Sequence, residues 1–252
     1  MDQEIIASNI TRAAAIVCSW AHPYRHLIRL FPQAASKTFL VPLPVLNPGS
    51  TTPRSLPHGE PIRLFYPASV TPHKNHEVII RMLAKRPNMR LICTGAHVQQ
   101  HLASLMKLAE QLGVSERVEW RGYVTADELE QEYVRAHILV MPSRWEAASG
   151  PIFEAVVREL PFVASDIEPI SAQMDLLDVD MPTFQWDDPE DAAQAVDRVI
   201  ESYEMYQSKL AIAAHGVRSR TWKDTARDYL EVFHWVSGKG AKPTHLQDVG
   251  TP

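Results

Sequence analysis

The sequence has 252 residues, of which 45% are hydrophobic, 22% charged and 8% aromatic, which is enough apolar material for a sizeable core. The formal net charge of -5 gives no electrostatic reason to expect nucleic acid as a partner. The start, MDQEII, lacks the basic residues of a signal peptide, and the longest apolar stretch, AAAIVCSWA, is about half as long as a membrane-spanning helix. We therefore expect a cytoplasmic protein, and peripheral contact with the inner membrane face stays open.

The first 43 residues predict a helix, a strand, a helix and a strand, with the strands at 14–19 and 37–42. This is too little structure to close a core independently, so we interpret 1–43 as the last part of a larger domain. Residues 44–61 hold five prolines and two glycines without a periodic apolar pattern. That composition predicts an interdomain linker.

From residue 62 onward, short apolar runs alternate with helical patterns. The predicted strands are 62–68, 89–95, 117–123, 137–143 and 161–166, and the predicted helices are 74–86, 98–113, 125–136 and 151–160. Several strands are apolar at consecutive positions, which is typical of strands buried on both faces. Gly113 ends the second helix as a C-cap, and Thr125 and Glu128 open the third with a capping box. The alternation predicts an α/β fold with a doubly wound, mostly parallel, Rossmann-like sheet.

Beyond residue 187 the chain turns helical as far as residue 236. We assign 62–236 to one domain that includes these C-terminal helices, the last of which packs through the aromatic residues of YLEVFHWV. Residues 237–252 are polar and rich in glycine and proline, and they predict a disordered tail.

Candidate functional groups follow the predicted strands, at the edge where ligands bind in open parallel sheets. They are Lys74 and Asn75 after the first strand of the domain, Gly95 after the second, Gly122 after the third, and Glu146 and Glu154 after the fourth. A lysine at a helix N-terminus opposes the helix dipole, which favours a bound phosphate there over a simple surface charge. A carboxylate in such a site accepts hydrogen bonds from ribose or sugar hydroxyls.

Four segments resemble, in order and spacing, the C-terminal domain of the GT-B glycosyltransferases of family 4 (glycosyl transferases group 1): YPASVTPHKNH, LICTG, VEWRGYVTADELEQEYVRAHILVMPS and WEAASGPIFEAVVRELPFVASD. The resemblance covers 62–235, and residues 1–43 resemble the end of that family's N-terminal, acceptor-binding domain. It implies a retaining hexosyltransferase of polysaccharide biosynthesis that needs neither metal nor cofactor. Such an enzyme transfers a sugar from a nucleotide-sugar donor to a carbohydrate or lipid-linked acceptor.

The resemblance also implies a role for each candidate residue. Glu146 matches the glutamate that faces the donor sugar, and Lys74 matches the lysine on the diphosphate, so these two form the catalytic pair. Glu154 matches the glutamate that hydrogen-bonds the ribose. The other donor-binding candidates are Ser69, Asn75, Gly95, the base-contacting loop of Gly122, Tyr123 and Val124, and the loop residues Ser149, Gly150, Pro151 and Ile152.

Two features depart from the family pattern. An arginine often stands five or six positions before the lysine, where this chain has Ala68 and Ser69; losing one charge-assisted contact weakens phosphate binding by about 1.5–3 kcal/mol unless another cation substitutes. The usual EGFGLP segment is EAASGP here, which implies a different donor-sugar pocket. The PHKNH form is similar to a subset that includes mannosyltransferases, so GDP-mannose is a candidate donor.

Two alternatives remain open, because a complete enzyme of this fold has a further acceptor-binding part before residue 1. One is a truncated or split, non-catalytic module that binds the nucleotide-sugar and docks on a separate chain carrying the N-terminal domain. The other is a GT-B sugar-nucleotide 2-epimerase, which would leave PHKNH and the glutamate pair without a matched purpose.

Histidine and cysteine are the residues that could suggest metal or disulfide chemistry. His73 and His76 lie three positions apart, but no third ligand has convincing spacing, so we expect no zinc site. Cys18 and Cys93 each lie inside an apolar run, which favours reduced, buried thiols over a disulfide. Trp145, beside Glu146, is interpreted equally as a packing residue and as a platform for a sugar or base.

Overall fold

The computed structural model describes residues 3–45, 49, 51 and 54–247. Its helices and strands in chain order are α1 (Gln3–Arg12), β1 (Ile16–Cys18), α2 (Ala21–Leu30), β2 (Thr38–Leu40), β3 (Ile62–Pro67), α3 (His76–Leu83), β4 (Met89–Thr94), α4 (Gln99–Gln111), β5 (Val118–Trp120), α5 (Ala126–Arg135), β6 (Ile138–Met141), α6 (Gly150–Val157), β7 (Phe162–Ser165), α7 (Glu168–Leu177), β8 (Thr183–Phe184), α8 (Pro189–Glu201), α9 (Tyr203–Ser219) and α10 (Trp222–Val236). Short 3-10 helices occur as well, among them Pro72–Lys74 and Thr244–Gln247.

The chain divides into two compact units. The first consists of Met1–Val45 and Arg218–Pro252, and the second of Leu46–Val217. The contacts of helix α10 therefore group it with the N-terminal segment, whereas the predicted domain of 62–236 included it. We call the first the terminal unit and the second the parallel unit.

The parallel unit is built on a six-stranded sheet with the strand order β5-β4-β3-β6-β7-β8, and every neighbouring pair is parallel. From β3 the chain moves outward through β4 and β5, and it then returns to β6 on the other side of β3. This reversal is the topological switch point of a doubly wound fold, and ligands bind there, outside the carboxyl ends of the strands. The predicted fold class is confirmed.

The centre of the sheet is buried on both faces, which explains why its strands are apolar at consecutive positions. All four residues of β6 and all four of β7 are buried. Helices α3 and α8 lie against each other over the sheet. Helix α8 contributes Ala192, Val196 and Val199, whose spacing places them on one buried stripe.

The predicted strands and helices from 62 to 160 are confirmed, with ends shifted by up to three residues. Two elements were missed: β8, which has only two residues, and α7, whose Pro169 stands in the first helical turn, where a missing N–H costs nothing. The long helical pattern after 187 also divides into two helices at Ser202.

The terminal unit contains a two-stranded parallel sheet, in which Ile16 of β1 stands opposite Thr38 of β2, together with α1, α2, α10 and the 3-10 helix Thr244–Gln247. Its core cluster consists of Phe39, Val41, Val232 and Leu246. The predicted disorder of 237–247 is therefore wrong, because Leu246 is buried and the Gln247 amide donates to the carbonyl of Thr38 at 3.0 Å. The rest of the predicted tail, 248–252, lies outside the described residues.

The predicted linker, 44–61, is only partly described, since 46–48, 50, 52 and 53 lie outside the described residues. Its described part is held by Arg54, whose guanidinium donates to the carbonyl oxygens of Tyr133 and Ala136 at 2.7 and 2.9 Å. These carbonyls belong to the end of α5, where the last C=O groups of a helix have no intrahelical N–H partner. Arg54 therefore acts as a C-terminal cap for that helix.

Two expectations from composition concern cysteine and membranes. Cys18 and Cys93 are both free, as predicted, but only Cys93 is buried, whereas Cys18 is half-buried. Within the described ranges, none of the helices combines the length and apolar character needed to cross a bilayer.

Candidate functional site

The candidate site lies where β3 and β6 end, at the switch point of the parallel sheet. After β3 the chain passes through Ser69 and the 3-10 helix Pro72–Lys74 before α3 begins. After β6 it forms the loop that carries Glu146 and leads into α6. The two loops touch, because the backbone N–H of Arg144 donates to the carbonyl oxygen of His73 at 2.8 Å.

The two predicted catalytic side chains meet at this edge. The ammonium Nζ of Lys74 lies 2.5 Å from Oε1 of Glu146, and their side chains are only 17% and 8% exposed. A carboxylate so deeply buried is stable only with a hydrogen-bonded partner of opposite charge. The backbone of Lys74 is itself fixed, since the hydroxyl of Tyr66 donates to its carbonyl oxygen at 2.8 Å.

Asn75 holds the surrounding loops together. It is 3% exposed and adopts a left-handed backbone conformation with φ 53°. Its Nδ2 donates to the carbonyl oxygens of Pro142 at 3.0 Å and Trp186 at 2.7 Å, and its Oδ1 accepts from Nε of Arg144 at 3.2 Å. Asn75 therefore joins the loops that follow β3, β6 and β8. A direct contact between Asn75 and a donor stays a prediction.

Glu154 is the fifth of the eight residues of α6 and is half-buried. Its Oε2 accepts a hydrogen bond from the hydroxyl of Tyr133, which is completely buried on α5. Burial raises the pKa of Tyr133 well above its usual value, and the negative charge of Glu154 adds to the effect. The tyrosine therefore stays protonated and acts as the donor.

The loop before α6, where EAASGP departs from the family pattern, is held by hydrogen bonds to Ser149. Ser149 is the N-cap residue of α6, since its Oγ accepts from the N–H of Ile152 at 3.4 Å. The side chain of Gln173 on α7 pairs with both the N–H and the C=O of Ser149, at 2.8 and 2.7 Å. Ser149 and Ile152 are buried, whereas Gly150 is exposed and Pro151 half-buried. Of these four candidates, Gly150 and Pro151 are the accessible ones.

The predicted glycine turns lie next to each other. Gly95 has a positive φ of 132°, and a Cβ at its position would lie 2.6 Å from the carbonyl oxygen of Ala68. Its N–H donates to the carbonyl oxygen of Gly122 at 2.7 Å. In the same loop Tyr123 is 89% exposed and Val124 half-buried. A cavity of about 220 Å³ adjoins these turns and is lined by Val70, Cys93, Gly95, His97, Leu102, Trp120, Arg121 and Gly122.

Two features of the site escaped sequence reasoning. The sequence does not predict the hydrogen bond from Tyr133 to Glu154, because a tyrosine at this position of α5 indicates only an apolar packing residue. Arg144 was also overlooked, although it stands two positions before Glu146 and supplies a second cation at this edge. Its guanidinium carbon lies 5.1 Å from the ring centroid of Trp186. Trp145 is 65% exposed, so it is not a core residue.

The histidines that suggested a metal have separate environments. His76 is completely buried between the rings of Tyr66 and Trp120, at centroid distances of 4.5 and 5.8 Å. Within the described part of the chain, neither of its ring nitrogens has a hydrogen-bond partner. Burial lowers its pKa from 6.5 to about 3, with further contributions from His101 and Lys74. His76 is therefore a neutral core residue.

Among the described residues, one group of three side chains, in the terminal unit, could hold a metal ion. It consists of Asp228, Glu231 and His245, whose ligand atoms lie within 4.8 Å of one another. Asp228 already pairs with Arg220 at 2.8 Å, so its negative charge is compensated without an ion.

Solved structures share the fold at low sequence identity. A glycosyltransferase from Rickettsia africae superposes with a TM-score of 0.77 at 16% identity, over 94% of this chain and 68% of that chain. The Anabaena protein HepE in complex with UDP and glucose gives a TM-score of 0.74 at 16% identity, over 94% and 66% of the two chains. Sucrose-phosphate synthase from Thermosynechococcus elongatus gives 0.76 at 17% identity, over 93% and 61%.

The similar sequences are also named as glycosyltransferases. An uncharacterized glycosyltransferase of Methanocaldococcus jannaschii is 25% identical over 177 residues, which are 68% of this chain and 44% of the relative. The D-inositol 3-phosphate glycosyltransferase of Mycolicibacterium smegmatis is 29% identical over 143 residues, which are 50% and 33%. The chain thus spans less than half the length of these relatives. Residues 51–213 match the family model for glycosyl transferases group 1, and the chain belongs to that family.

Proposed function

We propose that this chain binds a nucleotide-sugar and forms the donor half of a retaining, metal-independent glycosyltransferase of the GT4 type. The acceptor would be a carbohydrate or a lipid-linked glycan. The observation that carries the proposal is the ion pair between Lys74 and Glu146 at the switch point, with Glu154 on the helix that follows the same loop.

Lys74 is the proposed ligand of the diphosphate. Its ammonium is 17% exposed and lies at the carboxyl edge of the sheet, where oriented N–H groups and a cation together suit phosphate oxygens. During transfer the bond between the sugar and the diphosphate breaks, and negative charge develops on the leaving oxygen. A fixed ammonium stabilises that charge in a site with little water, which is the role that a metal ion plays elsewhere.

Glu146 is the proposed partner of the donor sugar. Its carboxylate accepts a hydrogen bond from the ammonium of Lys74, so a bound diphosphate would take over the ammonium and release the carboxylate. The freed oxygens would then accept hydrogen bonds from sugar hydroxyls. Two kinds of donor are candidates: GDP-mannose, suggested by the PHKNH segment, and a UDP-sugar, suggested by the Anabaena neighbour solved with UDP and glucose.

Glu154 and the glycine turns are the proposed nucleoside contacts. Glu154 offers a carboxylate to the ribose hydroxyls, and Gly122, the first residue of the loop that ends at Val124, lines the cavity that would receive the base. Gly95 permits the turn after β4 to approach Ala68, at the end of β3, closely.

A second candidate is a binding module that acts together with a separate chain supplying the acceptor half. It is favoured by the apolar side of α10 in the terminal unit, where Trp222, Leu230 and Phe233 are 49%, 53% and 59% exposed. Transfer of sugar by the purified chain, incubated with donor and acceptor, would contradict this second candidate, because a module without its partner binds donor but transfers no sugar.

Thermal unfolding with UDP, GDP and ADP tests the proposal. A ligand at about 100 times its Kd adds roughly 2.7 kcal/mol of stability, which corresponds to a rise in Tm of about 5–10 °C for a domain of this size. We expect one nucleotide to raise the Tm and the rise to disappear in Lys74→Ala and Glu154→Ala. The exposed Lys107 on α4 provides the control variant Lys107→Ala, which should respond like the wild type. No shift with any of the three nucleotides would contradict donor binding by this chain.

A further inference from the structure

Tyr133 is a core residue whose polar end reaches the candidate site. Its side chain is completely buried, and its ring packs edge-on against Phe65 at a centroid distance of 5.0 Å. The hydroxyl donates to Oε2 of Glu154. The surrounding apolar contacts fix the direction of the hydroxyl, because the ring has no room to change rotamer.

The guanidinium of Arg158 also packs against the ring of Tyr133. Its guanidinium carbon lies 4.4 Å from the ring centroid of Tyr133, and the side chain is 3% exposed. Nη1 donates to the carbonyl oxygen of Glu154 at 3.1 Å, while Nε and Nη2 donate to Oε2 of Glu130 on α5 at 3.0 and 2.6 Å. The α5 and α6 segments are thus linked twice, through the hydrogen bond from Tyr133 to Glu154 and through Arg158.

The two carboxylate oxygens of Glu154 have different environments. Oε2 accepts from Tyr133, whereas Oε1 has no hydrogen-bond partner among the residues that the structure describes. The last torsion of a glutamate side chain is soft and has no strong preference of its own. The hydrogen bond from Tyr133 therefore determines which way the free oxygen points.

We propose that Tyr133 is a positioning residue, which holds one oxygen of Glu154 so that the other oxygen is ready to accept hydrogen bonds from the ribose hydroxyls of the donor. This inference rests on the proposed function, in which Glu154 binds the ribose. Without the tyrosine hydroxyl, the carboxylate rotates freely before binding, and its ordering then opposes the association.

Tyr133→Phe tests the inference, because it removes only the hydroxyl and keeps the ring between Phe65 and Arg158. The probes are UDP, GDP and ADP, each paired with its 2′,3′-dideoxy form and titrated by calorimetry. We expect Tyr133→Phe to raise the Kd of the bound ribonucleotide about tenfold, the effect of one hydrogen bond to a charged group. The Kd of the dideoxy form should stay within about twofold, since it lacks the hydroxyls that Glu154 binds.

Tyr203→Phe is the matched control. Tyr203 is 5% exposed, lies in the same unit, and donates to the carbonyl oxygen of His137 at 2.7 Å. Its loss removes a buried tyrosine hydrogen bond without touching Glu154, so both Kd values should match the wild type. Because each pair of ligands is titrated on one sample, the ratio of the two Kd values does not depend on the fraction of folded protein.

The outcomes separate this inference from the proposed function. If the wild type binds none of the six nucleotides, both fail. If the wild type prefers ribonucleotides through Glu154 but Tyr133→Phe keeps the same preference, the proposed function stands and the positioning role is refuted. A further loss of ribonucleotide affinity from Tyr133→Phe in the Glu154→Ala background would also refute it, since the tyrosine would then act by another route.

Discussion

The ammonium of Lys74 and the carboxylate of Glu146 form a short, largely buried ion pair at 2.5 Å, although 72 positions separate them in the chain. The same ammonium is the proposed ligand of the diphosphate. The carboxylate of Glu146 therefore lies where a diphosphate bound to Lys74 would have to lie. Donor binding then becomes an exchange of one anionic partner of Lys74 for another.

Glu146→Gln should separate donor binding from sugar transfer. Without the competing charge, Lys74 is freely available to the diphosphate, and we expect the Kd of a nucleoside diphosphate to fall about tenfold, as for one charge-assisted hydrogen bond. Sugar transfer should fall at the same time. The surface pair of Glu77 and Arg81, at 2.8 Å, provides the control Glu77→Gln, which should leave the Kd unchanged. Weaker nucleotide binding in Glu146→Gln than in the wild type would refute the exchange.

Asn75→Ala should destabilise the parallel unit by about 3 kcal/mol. The substitution leaves the carbonyl oxygens of Pro142 and Trp186 without their donor, and it places an alanine at φ 53°, which adds roughly 1 kcal/mol of strain. Urea denaturation measures the change. Asn75→Gly loses the same hydrogen bonds without the strain and should be about 1 kcal/mol more stable than Asn75→Ala. Equal stability of Asn75→Ala and the wild type would show that these hydrogen bonds contribute nothing.

Gly95→Ala and Gly113→Ala form a matched pair that tests the close approach of Gly95 to Ala68. Both glycines have positive φ, but only at Gly95 does a Cβ meet backbone, 2.6 Å from the carbonyl oxygen of Ala68, whereas Gly113 has open space. We expect Gly113→Ala to cost about 1 kcal/mol from strain alone and Gly95→Ala about 2 kcal/mol more, because the strand ends must move apart. Denaturation curves with the same slope for both variants permit the comparison. Equal losses would argue against the tight contact.

His76 should make stability fall at acidic pH. Its pKa is lowered from 6.5 to about 3, first by burial and then by His101 and Lys74. Above pH 6.5 the ring is neutral in the folded and unfolded states, so it adds no pH dependence. Between pH 6.5 and 3 the unfolded chain binds a proton that the folded chain excludes, so the free energy of unfolding falls by about 1.4 kcal/mol per pH unit.

His76→Phe isolates this contribution, since it keeps an aromatic ring against Tyr66 and Trp120 and removes the proton site. The difference between the wild type and the variant should be constant above pH 6.5, and it should shift against the wild type as the pH is lowered. Parallel stability profiles from pH 7 to 4 would mean that His76 is protonated in the folded protein.

The parts of the fold that could be predicted were those with a strong local pattern. Strand β6 is apolar at every position, and α5 opens with a complete capping box between Thr125 and Glu128. Each of these elements can therefore be predicted from its own residues. Strand β8 has two residues and depends on pairing with β7. Leu246 has polar neighbours on both sides in the chain, and its partner Phe39 lies far away in the sequence. Neither could be inferred from neighbouring residues.

In the candidate site too, some residues could be predicted from the sequence and others could not. Lys74 and Glu146 were paired through the resemblance of their segments, and the structure brings their charged atoms together. Ser149 was expected at the donor, yet it is 1% exposed and caps α6. The partners that fix the site, Tyr133 for Glu154 and Gln173 for Ser149, lie on other elements. Their roles depend on tertiary packing, which no local pattern encodes.

The most direct test of the central claim, that Lys74 binds the diphosphate of a nucleotide-sugar, is a calorimetric comparison of a nucleoside diphosphate with the free nucleoside. The titrations use the wild type, Lys74→Ala and Lys107→Ala with the nucleotide selected by thermal unfolding. We expect Lys74→Ala to lose at least about tenfold in affinity for the diphosphate, to bind the nucleoside like the wild type, and Lys107→Ala to show no change. If Lys74→Ala binds the diphosphate as tightly as the wild type, Lys74 is not a phosphate ligand and the proposed donor site is wrong.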